Sequence, residues 1–461
     1  MMRTKILAVF PDGVGIRNYL YSDVFDPETT DLILFHNFSG ETITYLNRLQ
    51  RFYNIIKIPA YSESVKEKFL RELISLTRLK HNASITGNPT ILQNWKKYHA
   101  TVPLKLFYGA VTFASSWFPN YSSILKLEKL YQKAIRNTAF YKRIQKILKI
   151  ERPDVVFCSH QRGLKMATIF AAASDLGIPT TTVIFSWDNL PKARLALRSK
   201  KYCVWSDHMK AEMHRYYPEI DHQSVIVTGT PQFDFYKNPK NIIDRATFFR
   251  KYGLDDARKI ICFSGDDILT SPDDPKYLAD MAEAIRNNGL DSEYQILLRR
   301  CPADNSGRFD DIVRNYPNLI KEAPPLWIHN KSQGWTGSFP LTDDVALLVS
   351  TAYYCDLVVN VGSTMAIDFH MFNKPCIFIN YDQPLKKDPE WSVRNIYNFE
   401  HFRTMPKDAV AWFNSKDDIA HVVKNAVTLR SEASMSRWSE LLLQQPIMSL
   451  REVLTQSAMS E

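Results

Sequence analysis

The clearest structural pattern in the chain lies at residues 356–380, which read DLVVNVGSTMAIDFHMFNKPCIFIN. An apolar run ending at Asn360 is followed by a turn at Gly362 and then by apolar residues at helical spacing. An Asn-Lys-Pro break at 373–375 separates this segment from a second apolar run at 376–379. Strand, glycine turn, helix and strand in this order predict two parallel strands joined by a crossover helix.

The same alternation extends along most of the chain. Helical patterns such as 164–176 and 277–287 lie between short apolar runs that we interpret as buried strands. Buried strands that alternate with helices are typical of a parallel α/β sheet. The predicted strands are 6–10, 32–35, 155–158, 181–185, 202–205, 225–228, 260–264, 294–298, 357–361 and 376–379.

The strands fall into two groups, separated by a turn-rich stretch at 229–240. We therefore expect an α/β protein with two Rossmann-like, doubly wound domains that face a cleft, followed by a helical tail. The predicted bounds are 1–235 for the first domain, 236–430 for the second and 431–461 for the tail. A helical insertion of about 60–150 interrupts the strands of the first domain.

The amino-acid composition and net charge indicate a folded protein with anionic partners. The 461 residues are 45% hydrophobic and 23% charged, which excludes disordered and collagen-like chains, and the net charge of +9 favours anionic partners. No apolar run reaches the roughly 18 residues of a membrane span. The apolar run after the N-terminus is too short for a signal peptide, and the six cysteines are too far apart for a metal site. We expect a cytoplasmic protein with reduced, buried thiols.

A basic aromatic segment spans residues 95–150, which contain eleven Lys or Arg residues and one acid, Glu128. Residues 101–118 carry a single charge, on Lys105. The segment fits either a helical insertion with a solvated basic face or a peripheral contact with the anionic inner face of a membrane. No nucleic-acid motif accompanies it, so nucleic acid is not a predicted partner. Its aromatic residues are Trp95, Tyr98, Phe107, Tyr108, Phe113, Trp117, Phe118, Tyr121, Tyr131, Phe140 and Tyr141.

Phosphate-binding features follow three predicted strands of the second domain. Gly362 permits a tight turn, and Ser363 or Thr364 can cap a helix whose free N–H groups attract an anion. Asp368 lies about one turn into that helix, where it can accept hydrogen bonds from sugar or ribose hydroxyls. A capped βα unit without a ligand is the alternative. Candidate phosphate contacts at two other strand ends are Ser264, Gly265, Arg299 and Arg300.

Five segments together resemble bacterial surface-polysaccharide glycosyltransferases of the GT-B fold, related to CDP-glycerol glycerophosphotransferases and UDP-GlcNAc 2-epimerases. The resemblance covers about residues 150–400. In the Arg-Arg-Cys-Pro segment, Cys301 stands where the related pattern has a histidine, so the donor-phosphate role of that histidine does not transfer. The segments are SWDNL at 186–190, VWSDHMKAEM at 204–213, VTGTPQFD at 227–234, RRCPAD at 299–304 and residues 356–380.

The resemblance implies a transferase that moves a sugar from a nucleotide-sugar donor to a glycan or lipid-linked acceptor in capsule or lipopolysaccharide synthesis. The second domain would bind the donor nucleotide and the first domain the acceptor. The chain has no Asp-x-Asp pair and no Walker lysine loop. We therefore expect no metal and no cofactor besides the nucleotide-sugar substrate, with cations or helix dipoles stabilising the leaving diphosphate.

Three residues of the first domain are candidates for the general base that takes the proton of the acceptor hydroxyl. Asp12 lies in the turn PDGVGIRN at 11–18, His160 follows the strand at 155–158, and Asp188 follows the strand at 181–185. The same turn offers acceptor contacts at Gly13, Gly15 and Arg17.

Other functions remain open. A sugar-nucleotide 2-epimerase or a polyol-phosphate transferase has the same fold, and so does a non-catalytic nucleotide- or glycan-binding protein. An epimerase forms product from the donor alone, whereas a binding protein shows no turnover.

Overall fold

The computed structural model describes residues 3–38, 40–95, 101–195, 197–329 and 337–459. Two compact units are present. The first comprises Met1–Thr230 with Leu442–Glu461, and the second comprises Pro231–Leu441. The sequence placed this boundary at residue 235.

The first unit is built on a seven-stranded sheet in which every pair of neighbouring strands is parallel. The strand order is β3-β2-β1-β4-β5-β6-β7, so the chain starts in the middle and winds outward in both directions. The strands are β1 (Thr4–Val9), β2 (Thr30–His36), β3 (Asn54–Lys57), β4 (Val155–Cys158), β5 (Thr180–Val183), β6 (Lys201–Val204) and β7 (Val225–Val227).

The second unit repeats this plan with a six-stranded parallel sheet in the order β10-β9-β8-β13-β14-β15, and it also contains an antiparallel hairpin, β11-β12. All ten predicted strands are present, and the predicted parallel α/β class with two Rossmann-like units is confirmed. The strands are β8 (Lys259–Ser264), β9 (Tyr294–Arg299), β10 (Ile320–Glu322), β11 (Trp327–His329), β12 (Ser338–Pro340), β13 (Leu357–Asn360), β14 (Cys376–Ile379) and β15 (Ala411–Phe413).

Helices cross between the strands of both units. None in the described ranges is long and apolar enough to cross a membrane. The first unit contains α1 (Gly13–Gly15), α2 (Gly40–Arg48), α3 (Val65–Thr86), α4 (Val102–Ser115), α5 (Tyr121–Arg136), α6 (Ala139–Glu151), α7 (Met166–Ser174) and α8 (Asp207–Tyr216). Later helices are α9 (Arg245–Tyr252), α10 (Asp274–Asn287), α11 (Asp310–Asn315), α12 (Asp343–Tyr354), α13 (Met365–His370), α14 (Val393–Ile396), α15 (Ile419–Asn425), α16 (Glu432–Leu442) and α17 (Leu450–Met459).

The C-terminal segment, predicted as a separate tail, is divided between the two units. Helix α17 packs against β4 and β5 of the first unit, where Leu450, Val453 and Leu454 are buried. Helix α16 lies almost entirely within the second unit. The apolar face of α17 has to be covered, and the first sheet provides the surface that covers it.

Helices α3 to α6 occupy the segment predicted as a helical insertion. Ser64 and Glu67 form a capping box at the start of α3, and Gly87 ends this helix with a φ of 64°. Helix α3 packs against both α4 and α5. Residues 96–100 of the basic aromatic segment, which include Tyr98, lie outside the described residues.

A buried arginine holds this layer together. Arg78 of α3 is 1% exposed and donates hydrogen bonds to Glu128 of α5 at 2.9 Å, to Glu219 at 2.7 Å and to the Tyr121 hydroxyl at 3.0 Å. Arg198 pairs with both of these glutamates. Glu128, the one acid of residues 95–150, therefore points inward and is neutralised there.

We expect Arg78→Ala to lower the free energy of unfolding by about 3 to 5 kcal/mol, because removing one partner leaves a buried charge uncompensated. Urea unfolding of the full chain measures the loss. The control is Arg314→Ala, which removes a surface pair with Asp311 whose side chains are 74% and 82% exposed, and which should cost under about 1 kcal/mol. Equal losses in both variants would contradict the central role of Arg78.

Candidate functional site

Two of the predicted bases form a pair at the carboxyl edge of the first sheet. Val9 of β1 lies opposite Cys158 of β4, so the loops that leave these strands begin side by side. Asp12 Oδ2 lies 2.5 Å from His160 Nδ1, while Asp12 Oδ1 accepts a hydrogen bond from the Gly15 N–H at 3.0 Å. We call Asp12 and His160 the dyad.

The imidazole of His160 is held on two sides. Its ring stacks on Phe185 with 4.1 Å between centroids, and the Asp12 carboxylate accepts at Nδ1 when that nitrogen bears the proton. Nε2 is buried and has no hydrogen-bond partner among the described residues. A histidine oriented through Nδ1 in this way presents Nε2 as a proton acceptor, which is the arrangement of a general base.

The glycine turn makes room for this arrangement. A Cβ at Gly15 would overlap the side-chain hydroxyl of Ser159, the residue before His160. Gly13 and Gly15 are buried in the single turn of α1, and a π-helical turn, Ile16–Leu20, follows directly. Arg17 lies on that turn and donates from Nε to Asn18 Oδ1 at 3.2 Å. The predicted acceptor contacts therefore belong to the loop that positions Asp12.

Asp188, the third predicted base, is engaged differently. Its carboxylate pairs with Lys192 and accepts a hydrogen bond from the Asn189 amide at 2.7 Å. Gln161 donates to Asn189 Oδ1 at 3.0 Å and accepts the Phe185 N–H at 2.9 Å. Gln161 thus fixes the backbone of the residue that stacks on His160. Neither Gln161 nor Phe185 is predictable from the sequence as a site residue, because neither lies in a recognisable motif.

At the carboxyl edge of the second sheet, the glycine turn has the predicted form. Gly362 has a φ of 67°, and a Cβ there would approach Ile396 and Phe402 to 3.0 Å. The Ser363 N–H donates to Asn360 Oδ1 at 2.7 Å, and Ser363 Oγ accepts from the Met365 N–H at 3.4 Å. Ser363 therefore contacts the N–H of the first residue of α13, and both Ser363 and Thr364 are half-buried.

Asp368 makes an internal contact in this unit. Its carboxylate is 3% exposed, and Oδ1 accepts a hydrogen bond from the Tyr236 hydroxyl at 2.7 Å. Tyr236 belongs to the turn-rich segment Pro231–Lys237, and no sequence motif marks it as a site residue. The hydrogen bond between Asp368 and Tyr236 therefore fixes this segment to α13, five residues after Ser363.

Both predicted arginines form ion pairs. Arg299 is 4% exposed and donates to both carboxylate oxygens of Asp344, at 3.1 and 3.3 Å. Arg300 pairs with Asp310 at 2.7 Å and with Glu322 at 2.5 Å. Much of their charge is thus balanced by carboxylates of the second unit itself.

Asp266 and Asp274 form an acidic pair beside Ser264 and Gly265, which no sequence motif indicates. The Asp266 N–H donates to Asp274 Oδ2 at 2.6 Å, and Arg308 donates to the Asp266 carbonyl at 2.6 Å. Burial, opposed by hydrogen bonds from Ser271 and Asp266, raises the pKa of Asp274 to about 6. Burial and the nearby Asp274 carboxylate raise the pKa of Asp266 well above its ordinary value.

Neither a cluster of metal-ligating side chains nor a disulfide is present in the described ranges. No three His, Cys, Asp or Glu side chains converge there as a metal site. All six cysteines are free thiols, of which Cys301 is half-buried and the other five are buried.

Known structures share the fold of this chain at low sequence identity. A UDP-N-acetylglucosamine 2-epimerase matches with a TM-score of 0.52 and 10% identity over 99% of this chain and 95% of that one. The UDP-GlcNAc 2-epimerase from Methanocaldococcus jannaschii matches at 0.50 and 12% over 95% and 99%. The N-terminal domain of a Candida albicans trehalose-6-phosphate phosphatase matches at 0.50 and 12% over 100% and 97%.

These matches show a GT-B-like fold of two Rossmann-like domains, and they confirm the predicted likeness to UDP-GlcNAc 2-epimerases at the level of fold. No protein-family model and no curated protein sequence matches the chain. The matched structures carry different names, so the fold alone does not define the reaction.

The acidic pair predicts a pH dependence of stability. A carboxyl whose pKa is higher in the folded than in the unfolded protein takes up a proton on folding, so its contribution to stability is lost as the pH rises from about 4 through 6. We expect Asp274→Asn to gain stability relative to the wild type by about 1 kcal/mol or more between pH 4.5 and 7.5.

Urea unfolding at both pH values measures this difference. Asp311→Asn is the matched control, because the carboxyl of Asp311 is 82% exposed, and it should show no such trend. A difference between Asp274→Asn and the wild type that stays constant with pH would contradict the assignment.

Proposed function

We propose that this protein is a glycosyltransferase that moves a sugar from a nucleotide-sugar donor to a hydroxyl of a glycan or lipid-linked acceptor. The dyad is the observation that carries the proposal. A buried carboxylate orients an imidazole whose second nitrogen is left to accept a proton, at the sheet edge where ligands of parallel α/β units bind.

In the proposed reaction, the oxygen of the acceptor hydroxyl attacks the anomeric carbon of the donor sugar. At the same time, His160 Nε2 takes the proton of that hydroxyl. The bond from that carbon to the diphosphate oxygen breaks, and the nucleoside diphosphate leaves. Asp12 acts through His160, because its carboxylate holds the ring and stabilises the imidazolium that forms. Asp188 is already paired with Lys192, which favours His160 over Asp188 as the base.

We assign the donor nucleotide to the second unit. Gly362 allows close approach of the backbone, and Ser363 and Thr364 offer hydroxyl groups at the start of α13. Ser264 and Gly265 lie at the end of β8, beside β13 in the same sheet, and complete the proposed phosphate contacts. We assign Asp368 a positioning role, because it holds Tyr236. Arg299 and Arg300 are paired with carboxylates, so we assign them only a weak electrostatic attraction for the donor phosphates.

An epimerase is the second candidate, because two of the matched structures bear that name. The two reactions differ in what they require. An epimerase converts a sugar nucleotide without an acceptor, whereas a transferase releases nucleoside diphosphate in proportion to the glycan formed. Incubation with donor alone, followed by chromatography of the sugar nucleotide, separates the two.

The donor site is tested by thermal unfolding with UDP, GDP, CDP, dTDP, ADP and CMP. A ligand specific to the folded state, at a hundredfold excess over its Kd, stabilises by about 2.7 kcal/mol. We expect one nucleotide to raise the Tm of the wild type and of Ser292→Trp, a control at an exposed serine before β9. Ser363→Trp should fold and lose this shift. A shift that survives in Ser363→Trp would place the nucleotide elsewhere.

The dyad is tested by transfer kinetics with the donor so identified. We expect His160→Asn to lower kcat roughly 10² to 10⁴-fold, as is usual for the loss of a general base. Asp12→Asn keeps an oxygen for the Gly15 cap but removes the charge behind His160, so kcat should fall with little change in KM. The control His421→Asn alters an exposed histidine of α15 and should leave kcat unchanged. Unaltered kcat in both dyad variants would exclude the proposed base.

A further inference from the structure

Helix α4 and the turn after it expose a row of large apolar side chains. Val102, Leu106, Phe113 and Trp117 are 67%, 71%, 67% and 70% exposed. Their spacing of four, seven and four residues places them along one helical face. Gly109 and Ala110, which lie between them, are exposed as well. We call the four large side chains the apolar stripe.

The opposite face of α4 packs against α3 of the first unit, so the helix is held in place while the apolar stripe faces outward. Val111 and Ser115 are buried, and Lys80 of α3 donates a hydrogen bond to Ser115 Oγ at 2.6 Å. Lys68 of α3 lies 5.0 Å from the ring centroid of Phe107. Helix α4 therefore presents the stripe outward from a packed position.

The surface of the same helical layer is basic. Residues 101–150 contain nine Lys or Arg residues and one acid, Glu128, which is buried against Arg78. No acid in this range is therefore left at the surface to balance the cations. Eight of the nine are exposed: Lys105, Lys126, Lys129, Lys133, Lys142, Arg143, Lys146 and Lys149.

We propose that the apolar stripe inserts into the interfacial region of an anionic membrane, with the exposed lysines and arginines of α4 to α6 bound to lipid phosphates. Tryptophan and phenylalanine beside leucine and valine suit the boundary between headgroups and acyl chains. Exposed cations without exposed acids provide the complementary charge. The inference goes beyond the proposed activity and does not depend on it, because binding is measured without donor or acceptor.

The test is co-sedimentation of the full chain with vesicles of phosphatidylcholine, with and without phosphatidylglycerol. We expect binding to the anionic vesicles only. Phe113→Ser combined with Trp117→Ser should weaken it roughly tenfold or more, because two interfacial anchors are lost. Lys126→Gln with Lys129→Gln and Lys133→Gln should weaken binding and reduce its dependence on salt. All of these side chains are exposed, so the Tm should stay unchanged.

The matched control removes exposed apolar side chains from the second unit, outside the apolar stripe. Leu269 and Leu385 of the second unit are 72% and 82% exposed, and the double variant Leu269→Ser with Leu385→Ser should bind as the wild type does. Lipids with brominated acyl chains quench the fluorescence of an inserted tryptophan. Quenching should therefore fall in Trp117→Phe while the protein remains bound.

Two outcomes would overturn the proposal. One is binding that the stripe variant or the removal of phosphatidylglycerol leaves unchanged. The other is no vesicle binding, with light scattering that shows a dimer for the wild type and a monomer for the stripe variant. That result would assign the stripe to a second copy of this chain.

Discussion

The structure of both units depends on one constraint, which is that the carboxyl ends of parallel strands meet at the same edge of a sheet. Loops separated by long stretches of chain begin there as neighbours. Asp12 and His160 are 148 residues apart, yet the pairing of β1 with β4 brings their side chains to 2.5 Å. In the second unit, the same constraint places the loop of Ser264 beside the turn of Gly362.

This constraint explains how far the sequence could be interpreted. Nine of the ten predicted strands are central strands, which are buried on both faces and mostly apolar, and the tenth, β7, is an apolar edge strand. The strands that were missed in the two main sheets, β3, β10 and β15, lie at sheet edges. β10 and β15 have only three residues each, and the Ile-Lys-Glu of β10 differs little from a loop in its pattern. The four-helix insertion was recognisable because its aromatic and basic composition differs from that of the strands around it.

The sequence predicts which residues belong to the candidate site, but not which of their side chains contact each other. Asp12 and His160 each follow a predicted strand, and this position makes each of them a separate candidate base. That they form one unit depends on side-chain direction, which single-sequence patterns do not contain. The same limitation applies to the arginines: Arg299 ends β9 and Arg300 follows it, but their partners Asp344 and Glu322 come from other elements. Tyr236 and Asp274 were missed because only their contacts distinguish them from ordinary core and helix residues.

The electrostatics of the second unit bear on how it can hold an anionic donor. Arg299 and Arg300 are paired with carboxylates, and Asp266 and Asp274 lie next to Ser264, where fully ionised acids would repel a diphosphate. Burial raises the pKa of both carboxyls, that of Asp274 to about 6, so their repulsion of an anion weakens as the pH falls toward that value. A diphosphate at this edge would rely on hydroxyl groups such as that of Ser363 and on the close approach that Gly362 permits, because the Ser363 and Met365 N–H groups already donate within the turn. The site we propose therefore binds its anion mainly by directed hydrogen bonds from neutral groups, because Arg299 and Arg300 are already paired with carboxylates.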